Sequence, residues 1–228
     1  AMTARDANAV TALPAGSGVH MIGIGGVGMA GLARLLAGRL RVSGCDVADS
    51  PALAWLRENG VSCRSSHDPA HLDPAPAAVI RSTAVPEEHP EVRAASGRGI
   101  PVVRRGAVLG ALSGEQRSIA VCGAHGKTTV TAMIVQAFRA AGRDPSYAIG
   151  GWCRALDGPG YAGRGDWLAV EADESDGTLV HYRPAVGLIL NIDYDHMEHF
   201  KGPDAFRACF RAFAERSLRQ FAEREALH

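Results

Sequence analysis

Lysine is scarce in this chain. Only Lys127 and Lys201 are lysines among the 24 basic residues, and 24 acidic residues balance that positive charge. A chain without net charge lacks the basic face of a nucleic-acid-binding protein and the polybasic patch of a membrane-surface protein. We therefore expect neither kind of partner. Because the chain otherwise uses arginine, the lysine at position 127 indicates a need for an ammonium group there.

The sequence also lacks closely spaced cysteines and long hydrophobic runs. Its five cysteines are scattered, and no two form a CxxC pair, so a metal or redox site of that type is excluded. The longest strongly apolar run, around Val186–Leu190, is far too short to span a bilayer. The N-terminal segment does not have the pattern of a secretory signal. These features favour a cytoplasmic protein.

Strand-like and helix-like segments alternate along the chain, and the alternation starts twice. Val19–Ile24 reads as a buried strand before a glycine loop and a helix, and Ser118–Cys122 begins the same succession again. Further strands are predicted at Arg41–Cys45, Ala77–Ile80, Val102–Val103, Trp167–Val170 and Val186–Leu190. Helices are predicted at Pro51–Glu58, Pro90–Ala95, Lys127–Ala141 and from Pro203 through Ala214 onward.

This double alternation predicts an α/β fold with two domains. We expect a Rossmann-like parallel-sheet domain at 18–114 and a P-loop-type α/β domain at 115–228, with a polar turn around Ser113–Glu115 between them. Residues 1–17 are expected to be a disordered or tag-derived tail. The glycine-rich stretch Trp152–Gly165 is expected to be an exposed loop.

The first glycine loop has the spacing of a dinucleotide-binding turn. Gly23, Gly25 and Gly28 satisfy G-x-G-x-x-G between a strand and a helix, where backbone N–H groups can approach a pyrophosphate. Asp46 follows the next strand, at a position where an acid can hold a ribose hydroxyl. The loop therefore indicates a nucleotide diphosphate, either NAD or a nucleotide-sugar. A tight turn without a ligand is the structural alternative.

The second glycine loop is more specific. GAHGKTT at 123–129 follows a strand and precedes a helix, as a phosphate-binding loop does. Val121 occupies the position where the full P-loop pattern has its first glycine, so this loop is a shortened form. In such loops the lysine, here Lys127, neutralises phosphate charge, and the first hydroxyl, here Thr128, binds Mg²⁺.

Two acidic clusters follow predicted strands. The first contains Glu171, Asp173 and Glu174, and the second contains Asp195 beside His196. Ligands gather at the carboxyl ends of parallel strands, so both clusters are expected beside the phosphate loop, where carboxylates could hold Mg²⁺. Alone, each cluster would be a solvated acidic turn. Four histidines that lack such a context are interpreted as surface or core residues: His67, His71, His89 and His181.

Taken together, these motifs resemble the Mur ligase family. The matching stretches run in family order and include HMIGIGGVGMAGLA, VIRSTAV, GIPVVRRGAVL, VCGAHGKTT, VEADESDGT and NIDYDHMEHF. The family fold combines a Rossmann-like domain for the UDP-sugar, a central ATPase domain and a third domain for the incoming amino acid. Two departures are Cys45, where serine is usual, and Arg81, where a small or hydroxyl residue is common.

The resemblance implies roles for matching residues only. UDP-sugar binding would fall to Gly25, Gly26, Gly28, Asp46, Ser82 and Thr83. ATP binding would fall to Gly123, His125, Gly126, Lys127, Thr128 and Thr129. Thr128, Glu171 and His196 would surround Mg²⁺, and Lys127, Glu171 and His196 would be the catalytic residues.

The implied reaction is ATP-dependent amide formation in peptidoglycan precursor synthesis. It would join UDP-N-acetylmuramate to L-alanine through an acyl phosphate. The resemblance ends near residue 215, before the remainder of the ATPase domain and the amino-acid domain, so we expect these 228 residues to be inactive alone. The alternative is a diverged nucleotide-binding module of specialised metabolism that acts with a partner chain. The second glycine loop argues against a third alternative, a nicotinamide-binding protein. If the second sheet has an unpaired edge strand, self-association is also expected.

Overall fold

The computed structural model describes residues 4–175, 177–193 and 200–225. Two five-stranded sheets form the framework. The first sheet has the order β3-β2-β1-β4-β5, and all its strands are parallel. Its strands are β1 (Gly18–Ile22), β2 (Arg41–Cys45), β3 (Ser62–Arg64), β4 (Ala78–Arg81) and β5 (Val102–Arg104).

The second sheet has the order β10-β6-β9-β7-β8. Its strands are β6 (Arg117–Cys122), β7 (Ser146–Ala148), β8 (Gly160–Tyr161), β9 (Trp167–Glu171) and β10 (Val186–Ile189). All neighbours pair in parallel except β7 and β8, which are antiparallel. The α/β fold class predicted from the sequence is therefore confirmed.

Helices connect most of the strands. They are α1 (Ala4–Thr11), α2 (Val27–Leu36), α3 (Pro51–Glu58), α4 (Pro90–Gly97), α5 (Arg105–Glu115), α6 (Lys127–Ala140) and α7 (Pro203–Glu225). Short 3₁₀ turns lie at Pro69–Leu72 and Thr178–His181. Local chemistry explains where α3 begins, because Ser50 Oγ accepts a hydrogen bond from the Leu53 amide and Pro51 occupies the first turn.

One apolar core runs through both sheets. It includes Met21 and Ile80 of the first sheet, Ala120 and Val170 of the second, and Phe210 of α7. Helix α2 reaches the second sheet closely: a Cβ at Gly31 would lie only 2.6 Å from the Pro159 carbonyl oxygen. The two sheets are therefore held against each other by direct packing. Among the described residues, no helix combines the length and apolarity needed to cross a bilayer.

Three expectations about local structure need correction. Residues 4–11 form α1, because Ala7 and Val10 are buried in the core, so this part of the expected tail is not disordered. The polar turn expected around Ser113–Glu115 is the last turn of α5, where Ser113 is fully buried. The stretch at 152–165 is not simply an exposed loop, since it contains β8 and the buried Leu156. The division at residue 115 stays a prediction.

Candidate functional site

The two glycine loops face each other across one cavity. It has a volume of about 520 Å³, and its lining comes from the carboxyl ends of strands in both sheets and from the first turns of α2 and α6. Its polar and glycine lining residues are Gly26, Gly28, Ser82, Thr83, Arg105, His125, Lys127, Thr128, Gly150, Glu171, Asp173, Glu174 and Ser175. Strand ends of parallel sheets are where such ligand sites form.

The first loop presents the N-terminus of α2 to this cavity. Gly26 precedes the helix without a side-chain cap, and residues 26–29 line the cavity, so first-turn N–H groups are available to a ligand there. Arg105 lies directly against the loop, and a Cβ at Gly28 would be 2.5 Å from its Nη1. A side chain at position 28 would displace the guanidinium, so glycine leaves room for it beside the loop. Helix amides and a guanidinium together form a site suited to a diphosphate.

Asp46 stabilises the first loop through hydrogen bonds to backbone amides and lies outside the cavity lining. Its Oδ2 accepts a hydrogen bond from the Gly25 amide at 2.7 Å, and its Oδ1 accepts one from the Val47 amide at 2.8 Å. Neither Asp46 nor Gly25 lines the cavity. The structure thus shows a loop-fixing contact for Asp46, and its predicted contact with a ribose stays a prediction.

The β4 segment delivers Ser82 and Thr83 to the cavity but turns Arg81 away from it. Arg81 is buried, and its guanidinium donates to the Val85 carbonyl and to Glu87 Oε1. Arg81 does not line the cavity. The unusual arginine therefore fixes the segment that follows β4 and leaves the cavity wall to the two hydroxyl residues.

The second loop fixes Lys127 at the cavity. Gly126 has a φ of +86°, in the left-handed region that favours glycine, and α6 begins directly after it. Lys127 Nζ donates to the Gly123 carbonyl at 2.6 Å and to Glu174 Oε1 at 3.0 Å. The ammonium group therefore bonds to the start of its own loop and has the Glu174 carboxylate as its counter-ion.

Asn191 fixes the same loop from the strand next to it. Its Oδ1 accepts a hydrogen bond from the His125 amide at 3.0 Å, and its Nδ2 donates to the His125 carbonyl at 3.0 Å. A Cβ at Gly123 would lie 2.9 Å from the Asn191 carbonyl oxygen. Close backbone approach and a two-bond side-chain clamp therefore set the loop conformation.

Glu171 is the buried carboxylate of the site. Burial raises its pKa, and this effect outweighs the opposing hydrogen bonds from Gly150 and Thr128. Its Oε1 is buried without a hydrogen-bond partner. An unpaired buried carboxylate oxygen beside the Thr128 hydroxyl fits Mg²⁺, which takes oxygen ligands.

Asp173 connects the two sheets. Its Oδ2 lies 3.4 Å from Arg105 Nη2 across the cavity. Burial would raise the pKa of Asp173, but hydrogen bonds from Ser175 and the positive charges of Arg105 and Lys127 lower it. The carboxylate is therefore ionised and holds the guanidinium of α5 in place.

Most predicted site residues lie together. The structure places Gly26, Gly28, Ser82, Thr83, His125, Lys127, Thr128 and Glu171 on the cavity wall. Gly25, Asp46, Gly123, Gly126 and Thr129 belong to the same two loops or their supports but do not line the cavity. His196, predicted as a metal ligand and catalytic residue, lies outside the described residues.

Sequence reasoning overlooked four residues that build this site. Arg105 follows a strand within GIPVVRRGAVL, and Asp173 and Glu174 stand in the noted acidic cluster, but no individual role was predicted for them. Asn191 also lacked a predicted role, although it follows a strand. The signal for all four was a polar residue within a few positions of a strand end, which is too common a pattern to single them out.

Comparison with known proteins shows what the chain is similar to. Residues 18–117 match the Mur ligase family, catalytic domain. A UDP-N-acetylmuramate–L-alanine ligase from Kineococcus radiotolerans is 46% identical over 201 residues, which are 87% of this chain and 43% of the relative. The corresponding ligase of Mycobacterium avium is 43% identical over 203 residues, 87% of this chain and 41% of the relative. The chain is homologous to the Mur ligases.

Solved Mur ligase structures share the fold. The UDP-N-acetylmuramate-alanine ligase MurC of Thermotoga maritima superposes with a TM-score of 0.79 at 27% identity, covering 88% of this chain and 47% of that one. The UDP-N-acetylmuramate:L-alanyl-gamma-D-glutamyl-meso-diaminopimelate ligase of Neisseria meningitides gives 0.78 at 28% identity, covering 89% and 68%. The chain thus spans less than half the length of the curated relatives quoted above.

Proposed function

We propose that this chain is the nucleotide-binding part of an ATP-dependent ligase that adds L-alanine to UDP-N-acetylmuramate in the cytoplasm. The observation that carries the proposal is the shared cavity, because both glycine loops line it. A sugar nucleotide on the first loop and ATP on the second would then meet within one volume. Holding reactants in contact supplies much of the rate of a phosphoryl transfer.

The second loop is the proposed ATP site. The first-turn amides of α6 and the Lys127 ammonium would bind the polyphosphate, which is the chemistry of a glycine loop before a helix. Lys127 would exchange its contact with Glu174 for phosphate oxygens. His125 and Thr129 complete the loop on its exposed side.

Thr128 and Glu171 are the residues that would hold Mg²⁺. When bound there, the ion would neutralise phosphate charge and stabilise the transferring phosphoryl group. The unpaired Oε1 of Glu171 supports this assignment, as does the Thr128 hydroxyl bonded to the same carboxylate. His196 stays a proposed third ligand.

The first loop is the proposed UDP-sugar site. The first-turn amides of α2 and the Arg105 guanidinium would bind the diphosphate, with the Ser82 and Thr83 hydroxyls beside it. Arg105 also contacts Asp173, so a diphosphate that binds Arg105 at the first loop would act on the acidic cluster of the second sheet through this ion pair. We further propose that these 228 residues bind both nucleotides without completing ligation by themselves.

Substitution of the two lysines tests the ATP site. Lys127→Ala should weaken ATP binding about 10- to 100-fold, because a charge-assisted hydrogen bond contributes about 1.5–3 kcal/mol. Lys201→Ala, which removes the same charge outside the cavity, should leave the affinity unchanged. Calorimetric titration with Mg²⁺-ATP measures both. Equal effects of the two substitutions would show that the second loop is not a phosphate site.

A double variant separates the loss of attraction between Lys127 and phosphate from repulsion of phosphate by the unpaired Glu174 carboxylate. Lys127→Ala leaves the buried Glu174 carboxylate without its counter-ion, and this charge alone could repel phosphate. Lys127→Ala combined with Glu174→Gln removes that charge. We expect the double variant to stay at least tenfold weaker than the unsubstituted chain. Full recovery of ATP affinity would contradict direct phosphate binding by Lys127.

A further inference from the structure

A second cluster of potential metal ligands lies inside the first sheet. It contains His20 on β1, Cys45 at the end of β2, His71 in the turn Pro69–Leu72, and Glu91 in the first turn of α4. Cys45 and Glu91 are fully buried, and His20 is 2% exposed. None of the four lines the nucleotide cavity. Neither the proposed ligase chemistry nor the resemblance to Mur ligases uses this cluster.

The four donor atoms converge on one point. All lie within 4.8 Å of one another. Cys45 Sγ is 3.0 Å from Glu91 Oε2 and 3.4 Å from His20 Nε2, and His71 Nδ1 is 2.9 Å from Glu91 Oε1. Ligands about 2.0–2.3 Å from a tetrahedral Zn²⁺ stand roughly 3.3–3.7 Å apart. Small outward shifts would therefore convert these contacts into a coordination shell.

Ser43 is placed to orient His20 as a metal ligand. The Nδ1 of His20 lies 3.0 Å from Ser43 Oγ, and that hydroxyl donates its own proton to the Val19 carbonyl. A proton on Nδ1 that is donated to the Ser43 oxygen would leave the lone pair of Nε2 facing Cys45. An outer hydrogen bond of this kind orients histidine ligands in zinc sites.

We propose that His20, Cys45, His71 and Glu91 form a structural Zn²⁺ site. One thiolate and one carboxylate balance the two charges of the ion, and two neutral imidazoles complete a closed tetrahedron that has no open position for a substrate. Binding breaks the Cys45 S–H bond, forms a Zn–S bond and releases the proton to solvent. The site joins β1, β2, the turn at 69–72 and α4.

The competing interpretation is a metal-free hydrogen-bonded hub. Glu91 Oε1 accepts a bond from the Asp68 amide at 3.0 Å, and His67 Nδ1 lies 3.1 Å from Glu91 Oε2. Without a metal, Cys45 Sγ lies within hydrogen-bond distance of Glu91, of His20 Nε2 and, at 3.1 Å, of His67 Nδ1, but a thiol is only a weak hydrogen-bonding group. Since the thiol is the soft ligand that selects Zn²⁺, Cys45 is the residue whose role separates the two interpretations.

Metal titration of the whole chain tests the site. The protein is stripped with a chelator and titrated with Zn²⁺ against a chromophoric competitor, and then with Co²⁺ in place of Zn²⁺. We expect one ion per chain, proton release on binding, and a thiolate-to-cobalt charge-transfer band with the intense visible bands of tetrahedral Co²⁺. Failure to bind one ion per chain, or Co²⁺ spectra without a thiolate band, would overturn the proposal.

Three substitutions separate the proposed site from adventitious binding. Cys45→Ser should abolish the charge-transfer band and weaken Zn²⁺ binding by more than about 100-fold. Ser43→Ala removes only the hydrogen-bond partner of His20 Nδ1. It should weaken Zn²⁺ binding about 10- to 100-fold and leave the charge-transfer band in place. Cys63→Ser, a half-buried cysteine outside the cluster, is the matched control and should change neither.

Circular dichroism shows whether each variant folds. If Cys45→Ser does not fold, Glu91→Gln takes its place, because it keeps the thiol and the side-chain volume while removing the carboxylate charge. In a folded Glu91→Gln chain we expect Zn²⁺ affinity to fall by more than about 100-fold. Unchanged affinity in that variant, or a band lost equally in Cys63→Ser, would overturn the proposal.

Discussion

At the scale of single residues, the cavity between the two glycine loops contains a carboxylate that opposes folding. Glu171 is buried with one carboxylate oxygen unpaired, and burial raises its pKa. A buried unpaired polar atom costs free energy unless a ligand satisfies it. The free energy of unfolding of the metal-free chain is therefore lowered by a residue that we propose to be a Mg²⁺ ligand.

Glu171→Gln should separate stability from binding. A carboxyl group with a raised pKa binds more protons when folded than when unfolded, so stability falls as pH rises from about 4.5 toward its folded-state pKa. Glu171→Gln should remove that fall and raise the free energy of unfolding by about 1 kcal/mol at neutral pH. Urea denaturation as a function of pH measures this change in the free energy of unfolding. Calorimetry should show weaker Mg²⁺-ATP binding in the same variant.

The exposed Glu58→Gln in α3 is the matched control for that experiment and should alter neither property. A loss of stability in Glu171→Gln at neutral pH, or unchanged Mg²⁺-ATP affinity, would contradict the role assigned to Glu171.

Residue identities were predictable where a short motif carries the chemistry. Lys127 and Thr128 could be located because a glycine loop between a strand and a helix has a fixed spacing. The pairs Arg105–Asp173 and Lys127–Glu174 join residues 68 and 47 positions apart. The first contact depends on how the two sheets pack, and the second depends on the pairing of β6 with β9. No local pattern in one sequence specifies either.

At the scale of elements, predictions succeeded where local signals were strong. The predicted bounds of β2 and α3 match the structure, because Ser50 and Pro51 mark the helix start chemically. Helix α5 was overlooked, since glycines at 106, 110 and 114 lower its helix propensity. Its stability comes from packing instead: a Cβ at Gly110 would be 2.8 Å from His181 Cβ.

The close contact of α2 with the second sheet gives a prediction for two helical glycines. A Cβ at Gly31 in α2 would lie 2.6 Å from the Pro159 carbonyl oxygen, whereas a Cβ at Gly97 in α4 would meet nothing within 4 Å. Gly31→Ala should therefore lower the free energy of unfolding by about 1–3 kcal/mol through overpacking. Gly97→Ala should raise it by about 0.5–1 kcal/mol because alanine favours helix.

Chemical denaturation of the two variants measures this difference. Equal changes, or a stabilising Gly31→Ala, would show that α2 does not press against the loop before β8. The nucleotide cavity depends on that contact, because the N-terminus of the same helix forms one of its walls.

At the scale of the whole molecule, the chain brings the N-termini of the two helices that follow the glycine loops to one cavity. Helices α2 and α6 begin at the carboxyl ends of β1 and β6, and both first turns border the cavity of about 520 Å³. The sequence predicted each helix start separately. Their placement face to face follows from the packing of α2 on β7 and β8, which involves backbone contacts at Gly31 and Gly160.

The first loop is the decisive element, since its spacing alone is compatible with either NAD or a UDP-sugar. Calorimetric titration of the chain with UDP-N-acetylmuramate, and in parallel with NAD, tests the account most directly. We expect the UDP-sugar to bind more tightly, because the loop occurs together with VIRSTAV and GIPVVRRGAVL, the segments that resemble the Mur ligases and that supply Ser82, Thr83 and Arg105 to the cavity. Tighter binding of NAD would contradict the account.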